Sequence, residues 1–234
     1  MLLKNLAFLL CILLVSFTAS AYTGAGGITQ SDPSADTITK GRYTLVFIER
    51  GSHLDPGVRK KMIDAFFAVY PLQAKKYNRK TKRQVVFIID TSYKGVAATS
   101  GSVVRYNPEW FRKHPEDIDV VTHELMHVVQ DYGPKGGPGW ITEGIADYVR
   151  YKMGINNEAA NWKLPAYTPK QNFDNSYRVT ARFFAWIEKQ YDKNFVRKLD
   201  RAMREKTYSE NFTKDCTGKT FAELWQEYGA DPSL

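Results

Sequence analysis

The chain keeps its strand-forming runs and its helix-forming runs apart, and that segregation limits the folds open to it more than any other feature. Residues 43–49 (YTLVFIE) and 85–90 (VVFIID) are β-branched and aromatic runs of strand length; 95–99 and 102–106 are shorter strand-like pieces joined by a Ser100-Gly101 turn. The run 85–90 is nearly continuous in apolar residues, which predicts a central strand. Between the first two runs Asp55-Pro56 opens a helix in which Val58, Met62, Ala65, Phe66 and Val69 recur at helical spacing to about Tyr77. Beyond Pro108 the pattern is helical, over 108–113, 117–132, 140–153, 175–190, 193–205 and 220–228, with loops rich in Gly, Pro and Asn between. Strands first and helices later predict an α+β fold in which a small sheet packs on a helical half.

Residues 1–21 stand apart. Lys4 is followed by an apolar run over 6–15 and then by Ala19-Ser20-Ala21, the small-x-small pattern of a signal-peptide cleavage site. The run is well short of the ~20 residues that cross a bilayer, and the large Leu9 and Leu10 before Cys11 do not suit a lipid anchor. A secreted protein, extracellular or periplasmic, is therefore expected, with no membrane segment once the signal peptide is gone. Residues 22–40, rich in Gly, Ser, Thr, Ala and Asp, predict a flexible leader and leave 41–234 as the folded domain. Cleavage removes Cys11 and leaves Cys216 alone, so no intramolecular disulfide can form and stability must come from an apolar core.

The formal charge of +8 admits an anionic partner. Residues 75–83 hold six cations in nine positions, which reads either as a solvated helix end and turn or as a contact for an anionic cell-surface or cell-wall polymer, an acidic substrate or nucleic acid. No zinc finger, RNA-recognition motif or phosphate loop accompanies it, so no specific nucleic-acid partner is expected. A monomer is the expected form.

Chemistry enters at His123-Glu124-Leu125-Met126-His127, an H-E-x-x-H pattern inside the helix 117–132. At 100° per residue the two histidines fall ~40° apart and Glu124 within ~100° of His123, while Ile118, Val121, Leu125, Val128 and Val129 gather on the far side. One face can hold a metal while the other anchors the helix. Both imidazoles could present a nitrogen to one Zn²⁺ at ~2.0–2.1 Å, with Glu124 placed to take a proton from water.

A catalytic zinc needs a third protein ligand and an open position. The metzincin arrangement is excluded, because it requires Gly and His where this chain has Gln130 and Gly133. Instead a Gly- and Pro-rich loop over 133–139 turns the chain into a second helix, on which Glu143 and Asp147 are four apart and share a face. Glu143 is the natural third ligand, with Asp147 then accepting a hydrogen bond from the outer nitrogen of an imidazole; ligation by Asp147 or Glu158 is the fallback. Cys216, isolated in a polar stretch, reads as a partly buried structural residue.

The segments His123-Glu-Leu-Met-His127-Val-Val-Gln130, Trp140-Ile-Thr-Glu143-Gly-Ile-Ala-Asp147-Tyr-Val-Arg150, Tyr177-Arg-Val-Thr-Ala-Arg-Phe183 and Thr220-Phe-Ala-Glu-Leu-Trp225 resemble the basic secretory proteins, a family of zinc peptidases of plants, fungi and bacteria. The resemblance covers about residues 42–230. It implies a zincin-like, gluzincin-type fold: a small mixed twisted sheet above a cleft, the motif helix at its floor, and Glu143 completing a zinc site with His123 and His127. On that footing the substrate is a peptide or protein, Glu124 is the general base, and Tyr177, just before a helix, is the candidate oxyanion donor, with Tyr132 and Tyr151 as alternatives. The segment 100–106 is the expected sheet edge for an extended substrate, or an ordinary hairpin strand. Trp140 either walls the cleft or packs in the core. An exported binding module of the same fold, engaging anionic polymers without catalysis, is the competing function; an intact Glu124 favours the enzyme.

Overall fold

Alternation along the second strand shows how the sheet is seated. In β2 (Tyr43–Arg50) the side chains of Tyr43, Leu45 and Phe47 point into the core while their neighbours stay half-exposed, and β3 (Gln84–Asp90) repeats the pattern with Val85, Phe87 and Ile89. The structure, a computed structural model, describes residues 35–51, 53–133 and 136–234. Three further strands, β1 (Ala35–Lys40), β4 (Ala97–Ser100) and β5 (Val103–Tyr106), complete a mixed sheet in the order β1-β2-β3-β5-β4. β2, β3 and β5 run parallel, and β1 and β4 flank them antiparallel. The almost wholly apolar β3 is the central strand, as its composition predicts.

Helix α1 (Pro56–Lys76) is the crossover between β2 and β3. Asp55 caps it by accepting from the backbone N–H groups of Gly57 and Val58, and Pro56 occupies its first turn, where a missing N–H costs nothing. Met62, Phe66 and Tyr70 of its buried face meet the sheet; Phe66 lies 5.8 Å from Phe87, which in turn lies 5.1 Å from Tyr106.

The helical half follows: α2 (Pro108–Lys113), α3 (Val120–Gln130), α4 (Gly139–Met153), α5 (Tyr177–Gln190), α6 (Phe195–Glu205), α7 (Phe212–Thr217) and α8 (Phe221–Ala230). Fold class and element order match the α+β expectation; the short α7 has too little periodicity to be read from sequence. None of the helices among the described residues is long and apolar enough to cross a membrane. The aromatic content concentrates here. Trp140 packs edge-on against Phe173 and Phe221 and so lies partly buried against the core, while Phe183, Trp225 and Tyr228 fill the space between α5 and α8.

Two expectations are corrected. Residues 35–40 are not part of a flexible leader: Thr37-Ile38-Thr39 is β-branched, and Gly41, at φ +58°, makes the tight turn that pairs Lys40 with Tyr43. Residues 22–34 of that segment, and residues 1–21 with their expected signal peptide, lie outside the described residues. The sheet edge facing the helices is β4 rather than 100–106, because β5 pairs parallel with β3 and the hairpin return leaves Ala97–Ser100 outermost.

Helices α4 and α5 pack tightly at Gly144, where an added Cβ would lie 2.3 Å from Thr180 Cγ2 and 3.1 Å from Phe184 Cε2. Gly144→Ala should therefore destabilise the chain by about 1–3 kcal/mol through overpacking, lowering the thermal midpoint by several degrees. An unchanged midpoint would mean that the two helices are not packed this tightly.

On α6, Asp200 is fully buried, accepts a 3.1 Å bond from the Tyr132 hydroxyl, and stands 2.8 Å from the Arg204 guanidinium. Burial outweighs both partners and pushes its carboxyl from 3.8 up to about 6. The folded chain then holds this proton more tightly than the unfolded one, so the group supports folding fully below about pH 4 and withdraws about 3 kcal/mol as pH rises through about 6. Asp200→Asn cannot titrate. Its stability relative to the native chain should rise by about that amount between about pH 4 and pH 7 in urea titrations; a difference independent of pH would contradict the assignment.

Candidate metal centre

Helix α3 is buried on nearly every side. Val121, Leu125, Val128 and Val129, the face opposite the histidines, and Ile118 just before the helix are each no more than 1% exposed. Side chains from α1 and the following turn hold its backbone: Gln73 Nε2 donates to the Thr122 carbonyl, Asn78 Nδ2 to that of Val129, and the Thr81 hydroxyl to that of Val128. At the other end the Asp119 carboxylate takes the backbone N–H groups of Ile155 and Asn156, fastening the loop after α4 to the start of α3. His123, Glu124 and His127 thus project from a rigid element into a cavity of about 1290 Å³.

Glu143, on the second turn of α4, reaches the same cavity. His123 Nε2 and His127 Nε2 are 3.1 Å apart, and a Glu143 carboxylate oxygen lies 3.2 Å from the first and 3.4 Å from the second. Tetrahedral zinc with bonds of ~2.0–2.2 Å separates its ligand atoms by about 3.3–3.6 Å, so the three donors stand within a few tenths of an ångström of the corners such an ion requires. The three side chains form the single cluster of this kind among the described residues; Glu158 is not in it, and Asp147 makes a different contact.

Each imidazole is held through its other nitrogen. His123 Nδ1 is 2.7 Å from Asp147 Oδ1, and His127 Nδ1 is 2.7 Å from Gln130 Oε1. An acceptor on Nδ1 puts the proton there and leaves Nε2 with its lone pair toward the cavity. Gln130 does more: its Nε2 donates to the Thr142 carbonyl, next to Glu143, and so ties together the two helices that carry the three donors. Burial lowers the affinity of His123 for a proton, but the hydrogen bonds to Asp147 and Glu143 outweigh it and push the ring up to about 10. Burial likewise works against an ionised Glu143, yet the two imidazoles hold its carboxyl well below the usual carboxylate range. The cage attracts positive charge, a demand that a divalent cation would satisfy in place of a proton.

Glu124 belongs to the cavity wall, with its Oε2 accepting a 2.6 Å bond from the Thr99 hydroxyl of β4. Tyr177 lies over the site, its ring nearly parallel to that of His123 at 6.2 Å and its side chain half-exposed. It and Ser176 both adopt positive φ, +48° and +69°, a conformation that costs non-glycine residues roughly 1–3 kcal/mol each and clusters at functional sites. Of the alternatives, Tyr132 lines the cavity but spends its hydroxyl on Asp200, and Tyr151 is exposed and outside the lining. Cys216 is unpaired and packs partly buried against the core. Thr99 and Gln130 were not singled out as site residues from sequence; Gln130, one helical turn after His127, carried a usable signal, whereas Thr99 comes from a distant strand and carried none.

Comparison with known proteins adds the following. A family profile described as "Peptidase of plants and bacteria" matches residues 52–228. Among curated proteins none matches the sequence. Solved structures similar to this one include a two-domain M1 zinc metallopeptidase variant bound to L-tryptophan, at a TM-score of 0.49 and 14% identity over 86% of this chain and 51% of that one. An M1 zinc metallopeptidase variant from Deinococcus radiodurans bound to a tripeptide substrate matches at 0.48 and 14% over 83% and 50%. An aminopeptidase N family protein from Idiomarina loihiensis matches at 0.45 and 11% over 83% and 49%. The chain spans about half the length of these structures.

Proposed function

The chain belongs to the family of peptidases of plants and bacteria, and from that premise we propose that it is an exported, zinc-dependent peptidase with Glu124 as the proton acceptor. The observation that carries the reading is the convergence of His123 Nε2, His127 Nε2 and a Glu143 oxygen at separations that suit one tetrahedral ion, beside a cavity-facing carboxylate. The donor set, two imidazoles and a carboxylate, is that of zinc hydrolases with an open coordination position.

His123, His127 and Glu143 would hold the ion, which supplies Lewis acidity at a scissile carbonyl and acidifies the attacking water to a pKa of ~7. Glu124 takes the water proton and returns it to the leaving amine. Asp147 and Gln130 fix the imidazole tautomers, so that both Nε2 atoms face inward without rearrangement. Tyr177 donates its hydroxyl to the developing oxyanion; the strained turn at Ser176 aims it. The open edge of β4, whose Ala97, Ala98 and Thr99 line the cavity, pairs with an extended substrate main chain. The test is metal-dependent cleavage of casein or a peptide library: turnover that disappears on chelation and returns with zinc supports the reading, and none with zinc at full stoichiometry overturns it.

A second reading has one observation in its favour. Lys75, Lys76 and Arg79 meet Arg197 of α6 around a surface concavity of about 370 Å³, an arrangement suited to an anionic polymer. Salt-sensitive retention on such a polymer, lost in Arg79→Glu with Arg197→Glu, is the expected result if this face binds; equal retention of both proteins would dismiss it.

A further inference from the structure

We propose that Thr99 is a positioning residue that aims the carboxylate of Glu124, so that the sheet edge and the proton acceptor are set by one strand; the proposal rests on the peptidase reading of Glu124 given above. Thr99 Oγ1 lies 2.6 Å from Glu124 Oε2 and 3.1 Å from the backbone oxygen of the same residue. A hydroxyl has one proton to give. The carboxylate oxygen is nearer and charged, and 2.6 Å is the length expected of an O–H donor on an ionised oxygen, so the proton goes to Oε2.

That bond divides the labour of the carboxylate. Oε2 is engaged by the strand, whereas Oε1 makes no hydrogen bond among the described residues and is not among the buried atoms left without one. Because Glu124 lines the cavity, Oε1 is the oxygen free to meet a water there. A glutamate side chain has three torsions to fix, and the helix backbone restrains only the first of them. Thr99 restrains the far end. Its own position is stiff, since a β-branched side chain in a strand has few rotamers and β4 is held in register by the Thr99–Val104 pair.

Ala97 and Ala98 of the same strand line the cavity beside Thr99. A substrate main chain lying along β4 would therefore be placed by the element that also holds Glu124. The distance between the acceptor oxygen and the scissile bond is then a property of one rigid piece of backbone, which is where catalytic alignment is most secure.

The experiment compares zinc-loaded wild type, Thr99→Val and Thr99→Ser. Valine keeps the shape and deletes the donor; serine keeps the donor and deletes a methyl. Thr99→Val should lose about 10- to 100-fold in kcat with KM and zinc content little changed, and Thr99→Ser should recover to within about threefold of wild type. Crystal structures should show the Glu124 carboxylate turned away from its wild-type orientation in Thr99→Val and retained in Thr99→Ser. An unaltered kcat in Thr99→Val, a loss confined to KM or to zinc content, or a serine variant no better than valine would overturn the proposal. If wild type with zinc bound cleaves no peptide, the peptidase reading falls by itself, and the carboxylate orientation decides: unchanged in Thr99→Val, it overturns the positioning role.

Discussion

Glu124→Gln should give a folded protein that still binds zinc but cleaves peptides about 10²- to 10⁴-fold more slowly, the range lost when a positioned general base is removed. The two side chains have nearly the same shape, so the amide fits the same pocket and can still receive the Thr99 hydroxyl bond on its oxygen. What it cannot do is accept the water proton. Glu124 is not among the three side chains whose donor atoms converge, so metal content should be unaffected. The comparison is of turnover at matched zinc occupancy: equal rates would remove Glu124 from the reaction, and a loss of zinc would make it a ligand instead.

Glu143→Ala should abolish tight zinc binding. Changing an outer partner such as Asp147 costs about 10- to 100-fold in metal affinity, and deleting a donor atom that touches the ion should cost more than about 100-fold. Glu143 sits near the start of α4 with its side chain 28% exposed, and among the described residues its polar contacts are to His123 and His127. Thermal unfolding exposes the difference. At a zinc concentration 100 times its Kd, wild type gains about 2.7 kcal/mol, whereas a variant bound 100-fold more weakly gains only about 0.4 kcal/mol. Without zinc the variant also lacks the contacts to His123 and His127, so the quantity to compare is the zinc-induced shift within each protein and not the zinc-free midpoint. An undiminished zinc-induced shift in Glu143→Ala would mean that the third donor is another group.

What could be read from sequence follows from how local the determinants are. The five residues from His123 to His127 define their own geometry, since a helix places positions four apart on one side whatever surrounds it; the same rule set Glu143 and Asp147 side by side. The burial of Ile118, Val121, Leu125, Val128 and Val129 follows from the same periodicity. Strand order does not. That β4 is the open edge depends on β5 entering the sheet parallel to β3, a pairing between segments whose patterns would suit either position. Thr99 gains its meaning only from that arrangement, so its bond to Glu124 lay beyond any local pattern. The strand at 35–40 was hidden for another reason: its small polar residues resemble a linker by composition, and only pairing with β2 makes them a strand. Trp140 was ambiguous because a tryptophan at a helix start can face either way; Phe173, Phe184 and Phe221 decide it.

Diffraction from crystals grown with zinc, recorded on both sides of the zinc absorption edge, tests the account most directly. It predicts a single anomalous peak ~2.0–2.2 Å from His123 Nε2, His127 Nε2 and a Glu143 carboxylate oxygen, with one coordination position left to solvent. A peak held by Asp147 or Glu158 in place of Glu143, or no peak between the two histidines at saturating zinc, would contradict it.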